Sequence, residues 1–166
     1  MNIENYVVIK DYENYSISNL GNVKNTTSNK PITHNTTHKY IRVGLSKDKK
    51  EKKFYLHRLL AIAFIPNPDN CECVDHIDNN VRNNSLNNLR WATKNQNAHN
   101  VRISSRNTSG IKGVNWTKRE KKWRARIFFD GKEICLGYFD SIEDAKTARQ
   151  NKATELFGIF KNACEN

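Results

Sequence analysis

Cys73-Val74-Asp75-His76-Ile77 and Asn88-Leu89-Arg90-Trp91-Ala92-Thr93 are the stretch on which the reading of this 166-residue chain turns. Both read as β-like pieces. The eleven-residue polar loop from Asp78 to Asn88, counted inclusively, joins them, and Lys94 to Val101 follows as a helix with Thr93 as its N-cap. A strand–loop–strand–helix unit of this kind groups Asp75, His76, Asn88 and Asn97. A carboxylate, an imidazole and amides together suit phosphodiester hydrolysis. Asp75 and Asn97 offer two oxygens of the kind a hard divalent cation prefers, with water and phosphate as its other ligands. His76, with a reference pKa near ~6.5, is suited to deprotonate an attacking water. Neighbours on a regular strand point to opposite faces, so a site shared by Asp75 and His76 calls for a twisted or bulged strand. His99, two residues beyond Asn97, is a further candidate for the metal or a phosphate.

Upstream, Leu56-His57-Arg58-Leu59-Leu60-Ala61-Ile62-Ala63-Phe64 reads as a short buried helix closed before Pro66 and Pro68. On this mostly apolar helix His57 reads as a structural histidine rather than a ligand. Residues 1–53 read as a small module of short strands and turns. Tyr6 to Ile9 and Tyr15 to Ile17 are strands, Asn19 to Asn22 is a turn, and Tyr40 to Leu45 pairs with Lys53 to Leu56 across a polar turn at Lys47 to Lys50. His34 and His38 read as loop residues, and Tyr12 and Tyr15 as packing.

Downstream, Arg102 to Ser109 is polar, and residues 104–109 serve as a linker. Residues 110–160 carry the cleanest pattern. Gly113 to Trp116, Lys122 to Phe129 and Glu133 to Phe139 read as three antiparallel strands, with Asp130-Gly131 as a hairpin turn. In the middle strand Trp123, Ala125, Ile127 and Phe129 take one face; Arg124, Arg126 and Phe128 take the other. A helix starting at Ser141, with Asp144 completing a capping-box-like start, shows apolar positions at Ile142, Ala145, Ala148, Lys152/Ala153 and Leu156. It covers one face of the sheet and leaves Arg124 and Arg126 on the open side.

The composition narrows the partners. Hydrophobic residues make up 37 % of the chain, so the core is thin or divided. The longest apolar run, Leu59 to Ile65, is far shorter than the ~20 residues of a membrane helix. The first residues carry Glu4, Asp11 and Glu13 and no apolar signal region, so neither a membrane nor a secreted protein is expected. Cys71 and Cys73 lack a second metal-binding pair, and with Cys135 and Cys164 they read as ordinary thiols of a reducing compartment. The net charge is +11, with a surplus of eight positive charges between Arg102 and Lys132 and a second basic stretch from Lys39 to Arg58. Such clustering is the footprint of phosphate contacts. Asparagine occurs 24 times and crowds the central loop, where it favours turns, although base composition of the coding genome accounts equally well for much of it.

These residues carry a resemblance. Val74-Asp75-His76-Ile77-Asp78, the Asn-rich loop, Asn88-Leu89-Arg90-Trp91-Ala92-Thr93 and Asn95-Gln96-Asn97 resemble the HNH endonuclease motif. With the lead-in from His57-Arg58 to Asn67-Pro68, they are similar to phage and intron-encoded HNH homing endonucleases. The resemblance implies a ββα-metal unit over residues 54–103. In it His76 is the general base, Asp75 and Asn97 ligate one Mg²⁺ (or Mn²⁺), and Asn88 belongs to the catalytic motif by bracing the loop. Tyr15 to Val23 resembles the small module that often precedes such nucleases. Ser109 to Trp116, Leu136 to Asp140 and the helix at Glu143-Asp144-Ala145 resemble the plant Apetala-two/ethylene-response DNA-binding domain. That likeness implies a DNA face made of Lys112, Asn115, Trp116, Arg124, Arg126 and Phe128, with Lys118 and Lys122 beside it. Glu133 and Cys135 stand where the plant family has Arg and Trp.

The reading is therefore an α+β protein: a β-rich N-terminal module, a central ββα-metal unit, and a C-terminal three-stranded antiparallel sheet packed on one helix. The expected activity is hydrolysis of a phosphodiester bond in a specific double-stranded DNA site. One site per chain implies nicking by a monomer, or a double-strand break by a weak homodimer. It is expected wherever its DNA resides, cytoplasm included. The alternatives are a DNA-binding regulator that does not cut, and an RNA-binding or RNA-cleaving module.

Overall fold

The computed structural model describes residues 3–100 and 103–160, His99 by its backbone alone. Val101, Arg102, Cys164 and the His99 side chain, all named in the expectations above, lie outside this description. The fold is mixed α/β and strand-rich, in two compact units divided between Lys94 and Asn95. Among the described residues no helix is long and apolar enough to cross a membrane.

The first unit starts with two three-stranded antiparallel sheets. One is β1 (Tyr6–Ile9), β2 (Tyr12–Ser18) and β3 (Val23–Asn25); the other is β4 (His34–Asn35), β5 (Arg42–Lys47) and β6 (Lys50–Tyr55). His34 thus stands in a short strand rather than a loop. Asp48 and Lys49 both take positive φ, which closes the β5–β6 hairpin tightly and in step with the strand twist. β6 then runs directly into α1 (Leu56–Phe64) with no side-chain cap at Tyr55, so the expected boundary after residue 53 lies within β6. The helix is held instead by burial of Leu56, Leu59, Leu60 and Ala61, spaced so that they share one side. Ile65 N–H closes it on Ala61 O before Pro66.

α1 organises the unit. Its buried side chains share one core with Ile17 and Val23, with Val43 and Leu45, and with Val74 and Leu89 of the next hairpin, β7 (Cys73–His76) and β8 (Leu89–Ala92). A 3₁₀ turn at Leu86–Asn88 leads into β8. The short α2 (Lys94–His99) follows at the division between the units.

The second unit is a sheet in the order β11–β10–β9, made of β9 (Val114–Thr117), β10 (Lys122–Phe129) and β11 (Lys132–Phe139), with α3 (Ile142–Phe157) across one side. Asp130 and Gly131 both take positive φ in the β10–β11 turn. Val114, Ala125 and Ala145 form one part of its core; Ile127, Ala153 and Phe157 form the other. Gly113, at φ +74°, has no room for a side chain: a Cβ would stand 2.3 Å from Arg126 O. Two helix expectations are corrected. Ser141 Oγ caps α3 by accepting from Glu143 N, not from Asp144. The expected Ala145 and Ala153 are buried and Ile142 and Leu156 pack half-buried against the same cores, but the buried stripe also takes in Arg149 and Phe157 in a four-residue step, while Ala148 is only half-buried.

Candidate functional site

β7 and β8 pair Asp75 with Arg90 and His76 with Leu89 in an unbroken register, with no bulge between them. The two side chains leave the strand on opposite sides. Asp75 is buried, and both Nε and one terminal nitrogen of Arg90 donate to its Oδ2, at 2.9 and 2.7 Å. A carboxylate with so little access to water needs such a partner, because an unpaired buried charge is strongly destabilising. Arg90 is thus a site residue whose part was not read from the sequence. Opposition across the hairpin was the signal available for it.

On the other side His76, also buried, meets α1. Its ring lies edge-on to His57 with centroids 5.0 Å apart, and Tyr40 stands 6.3 Å away. His57 itself packs against Tyr40 and Tyr55 at 5.2 and 5.5 Å. Burial, with the charges of His76 and Arg58 adding to it, pushes the His57 pKa down to about 4. His57 is therefore a neutral ring beside His76 at ordinary pH. Its helical position gave no hint of this contact. The Nε2 atom of His76 lies 3.0 Å from Asn84 Oδ1.

Asn88 is buried and ties the central loop shut. Its Oδ1 accepts from Asp78 N at 3.0 Å, while its Nδ2 donates to Asp78 Oδ1 at 2.9 Å and to Asn83 O at 2.8 Å. The Asp78 carboxylate also receives Asn80 N and Asn83 Nδ2. Burial raises its pKa, but these hydrogen bonds outweigh it and hold the group below the ordinary carboxylate value. Asn80, Asn83 and Asn88 of this loop are structural hydrogen-bonders that serve turns of the backbone.

Asn97 is exposed on α2. Among the described residues no three His, Cys, Asp or Glu side chains gather into a metal cage. Asp75 offers a carboxylate oxygen in the first unit, and Asn97 an amide oxygen in the second. This chemistry fits a hard, partly hydrated cation that completes its shell with water and phosphate, and does not fit a soft or structural metal.

In the second unit Lys122, Arg124, Arg126 and Phe128 alternate onto the side of the sheet away from α3. Asn115 pairs across from Arg124, so it shares that side, as does the exposed Tyr138. Trp116 does not. It pairs with Trp123, and the two rings meet edge-on at 5.3 Å on the α3 side, because adjacent residues of β9 cannot face the same way. Lys118 is exposed in the β9–β10 turn, and Lys112 is half-buried ahead of β9. Lys122 reaches Asp140 at 3.1 Å. Arg124 and Arg126 both donate to Glu133, Arg126 at 2.6 Å. The open side is therefore less basic than the alternation of β10 suggests.

A family model described as HNH endonuclease matches residues 54–99, and one described as NUMOD4 motif matches residues 4–50. The chain is 36 % identical over 137 residues to the uncharacterized HNH endonuclease L245 of Acanthamoeba polyphaga mimivirus, covering 82 % of this chain and 37 % of that protein. It is 43 % identical over 94 residues to DNA endonuclease I-HmuI of Bacillus phage SP01, 55 % of this chain and 54 % of that protein. Against the H-N-H endonuclease F-TflII of Escherichia phage T5 it is 33 % identical over 135 residues, 80 % of this chain and 70 % of that protein. The chain thus spans about a third of L245 and about half of I-HmuI in these alignments. The solved structure of the HNH homing endonuclease I-HmuI, which describes DNA binding and cleavage, superposes with a TM-score of 0.53 at 32 % identity. That superposition covers 91 % of this chain and 88 % of I-HmuI.

Proposed function

Because the chain belongs to the HNH endonuclease family, we propose that it is a metal-dependent, homing-type endonuclease that binds a specific double-stranded DNA site and nicks it. The observation that carries this reading is the end of β7. His76 is buried there, packed on His57 and held at Nε2 by Asn84, as a positioned general base requires.

In this reading His76 takes a proton from water, and the resulting hydroxide attacks the phosphorus while the bridging P–O bond breaks. Asp75 and Asn97 would hold a divalent cation, Mg²⁺ or alternatively Mn²⁺, which when bound supplies charge neutralisation on the phosphate and the leaving oxygen. Arg90 holds the Asp75 carboxylate in place. Asn88 does not touch the reacting atoms; it braces the loop that supports His76.

The second unit serves as a DNA-binding domain of the Apetala-two/ethylene-response type. Lys122, Arg124, Arg126 and Asn115 contact the duplex through the open side, with Lys112 and Lys118 at its margins. Trp116 contributes indirectly, by packing on Trp123 on the α3 side of the sheet. One small nuclease unit cannot select a long target, and a second module adds contact length and register. The protein acts as a monomer, or a weak homodimer on paired sites, in whatever compartment holds its DNA.

The test is incubation of wild-type and His76→Ala protein with supercoiled plasmid carrying random inserts, in Mg²⁺ and in EDTA. Conversion to open circle by the wild type alone, in Mg²⁺ alone, is the expected result. A linear product would replace nicking with paired cleavage. Intact supercoil accompanied by gel shift of the same inserts would favour a regulator that binds without cutting.

A further inference from the structure

We propose that Asn84 is a positioning residue for His76, and that it decides which imidazole nitrogen acts as the base. The inference deepens the nuclease reading and rests on it for its catalytic consequence. Its structural part stands on the central loop alone.

The His76 ring has little freedom. His57 meets it edge-on at 5.0 Å and Tyr40 stands 6.3 Å off, so both the side chain and its ring plane are held by packing. Against this fixed ring Asn84 Oδ1 lies 3.0 Å from Nε2. An amide oxygen accepts and cannot donate, so Nε2 must carry the proton. The other nitrogen, Nδ1, is then the basic one, because in a neutral imidazole the hydrogen bond at one nitrogen sets the state of the other.

Which end of the Asn84 amide faces His76 is set by a second contact. Its Nδ2 donates to Arg82 O at 3.4 Å. A rotated amide would put two oxygens together there. Arg82 is anchored in turn: its guanidinium donates to His38 O at 2.6 Å, and its N–H donates to Asn80 Oδ1 at 3.1 Å. On the other flank Asn83 O receives Asn88 Nδ2 at 2.8 Å, inside the clamp around Asp78. The buried Asn88 therefore reaches His76 indirectly, by holding the backbone that carries Asn84. An amide suits this position because it orients the imidazole without adding a charge beside Asp78.

The experiment compares wild type, Asn84→Ala and Asn84→Asp in the full chain, by two readouts. The first is the nitrogen NMR spectrum of ¹⁵N-histidine-labelled protein. Wild-type His76 is expected in the Nε2-protonated tautomer, and Asn84→Ala in a mixture of tautomers. The second is the single-turnover nicking rate at saturating protein, with DNA affinity measured in parallel. Asn84→Ala should lose roughly tenfold or more in rate, a part of what a general base supplies, with affinity unchanged within about twofold. Asn84→Asp, whose carboxylate accepts from the same Nε2–H, should recover most of the rate. An Nδ1-protonated His76 in the wild type overturns the proposal. So does wild-type cleavage by Asn84→Ala, or a loss that Asn84→Asp leaves uncorrected. If the wild type shows the expected tautomer and Asn84→Ala scrambles it, but no DNA is cut, then the nuclease reading fails and the positioning role stands.

Discussion

His57 presents a neutral, buried ring to His76 at a centroid distance of 5.0 Å, closing one side of the imidazole against α1. Its pKa of about 4 lies below the ~6.5 of an unfolded histidine. The unfolded chain therefore takes up this proton first as pH falls. The stability tied to His57 is complete above about pH 6.5 and is lost progressively towards pH 4, by up to about 3 kcal/mol. Thermal unfolding at pH 7.5 and pH 5 should show a steeper acid loss for the wild type than for His57→Phe, which keeps a ring but cannot be protonated. Equal slopes would remove His57 from the account.

The buried pair of Asp75 and Arg90 makes a second prediction. Arg90→Leu should destabilise the first unit by about 3–5 kcal/mol, because it removes the guanidinium paired with a buried carboxylate. Asp75→Asn placed on Arg90→Leu should recover part of that loss, since the amide carries no charge. Urea unfolding of the single and double variants gives the answer. A double variant less stable than Arg90→Leu would mean that the carboxylate is held by something else.

Asn88 donates and accepts within one clamp, so its replacements are not equivalent. Asn88→Ala should cost about 2 kcal/mol or more by leaving buried groups of the loop unsatisfied. Asn88→Asp should cost at least as much, because it sets a second carboxylate 2.9 Å from Asp78 Oδ1 where an N–H now donates. Both variants should cut DNA slowly through displacement of Asn84. An Asn88→Asp protein as stable as the wild type at neutral pH would contradict the clamp.

In the proposed DNA interface, Glu133 competes with the duplex for Arg124 and Arg126, to both of which it is bonded. Glu133→Ala should tighten binding to duplex DNA severalfold at low salt and steepen its salt dependence, as two guanidinium groups become available to phosphate. Arg124→Ala and Arg126→Ala should each weaken binding and flatten the slope of log K against log salt by about one unit. Affinity measured from low to moderate salt tests all three. An unchanged slope in the arginine variants would move the DNA surface elsewhere.

The limits of α1, the β10 alternation and the two-residue turns at Asp48-Lys49 and Asp130-Gly131 were legible because they depend on neighbours a few positions apart. Apolar spacing, a proline after the helix and residues that tolerate positive φ each act locally. The same locality explains two misreadings. Ala148 looked like a core position by its side chain alone, yet the four-residue step of α3 buries Arg149, whose long apolar stem lets it pass through a core position. Trp116 was placed with Asn115 by resemblance, although a strand must separate them.

The candidate site divides along the same line. By itself the sequence determined that a carboxylate, an imidazole and a bracing amide would stand on one hairpin and its loop, since their spacing within strand, loop and strand is a property of the chain. Only the tertiary structure decided what surrounds them. His57 meets His76 because α1 packs on β7, Arg90 meets Asp75 through the β7–β8 register, and Glu133 reaches two arginines across a sheet whose register shifts after Ala125. Contacts between residues distant in sequence depend on how elements pack and on a register that a single bulge can change, and no local pattern records either.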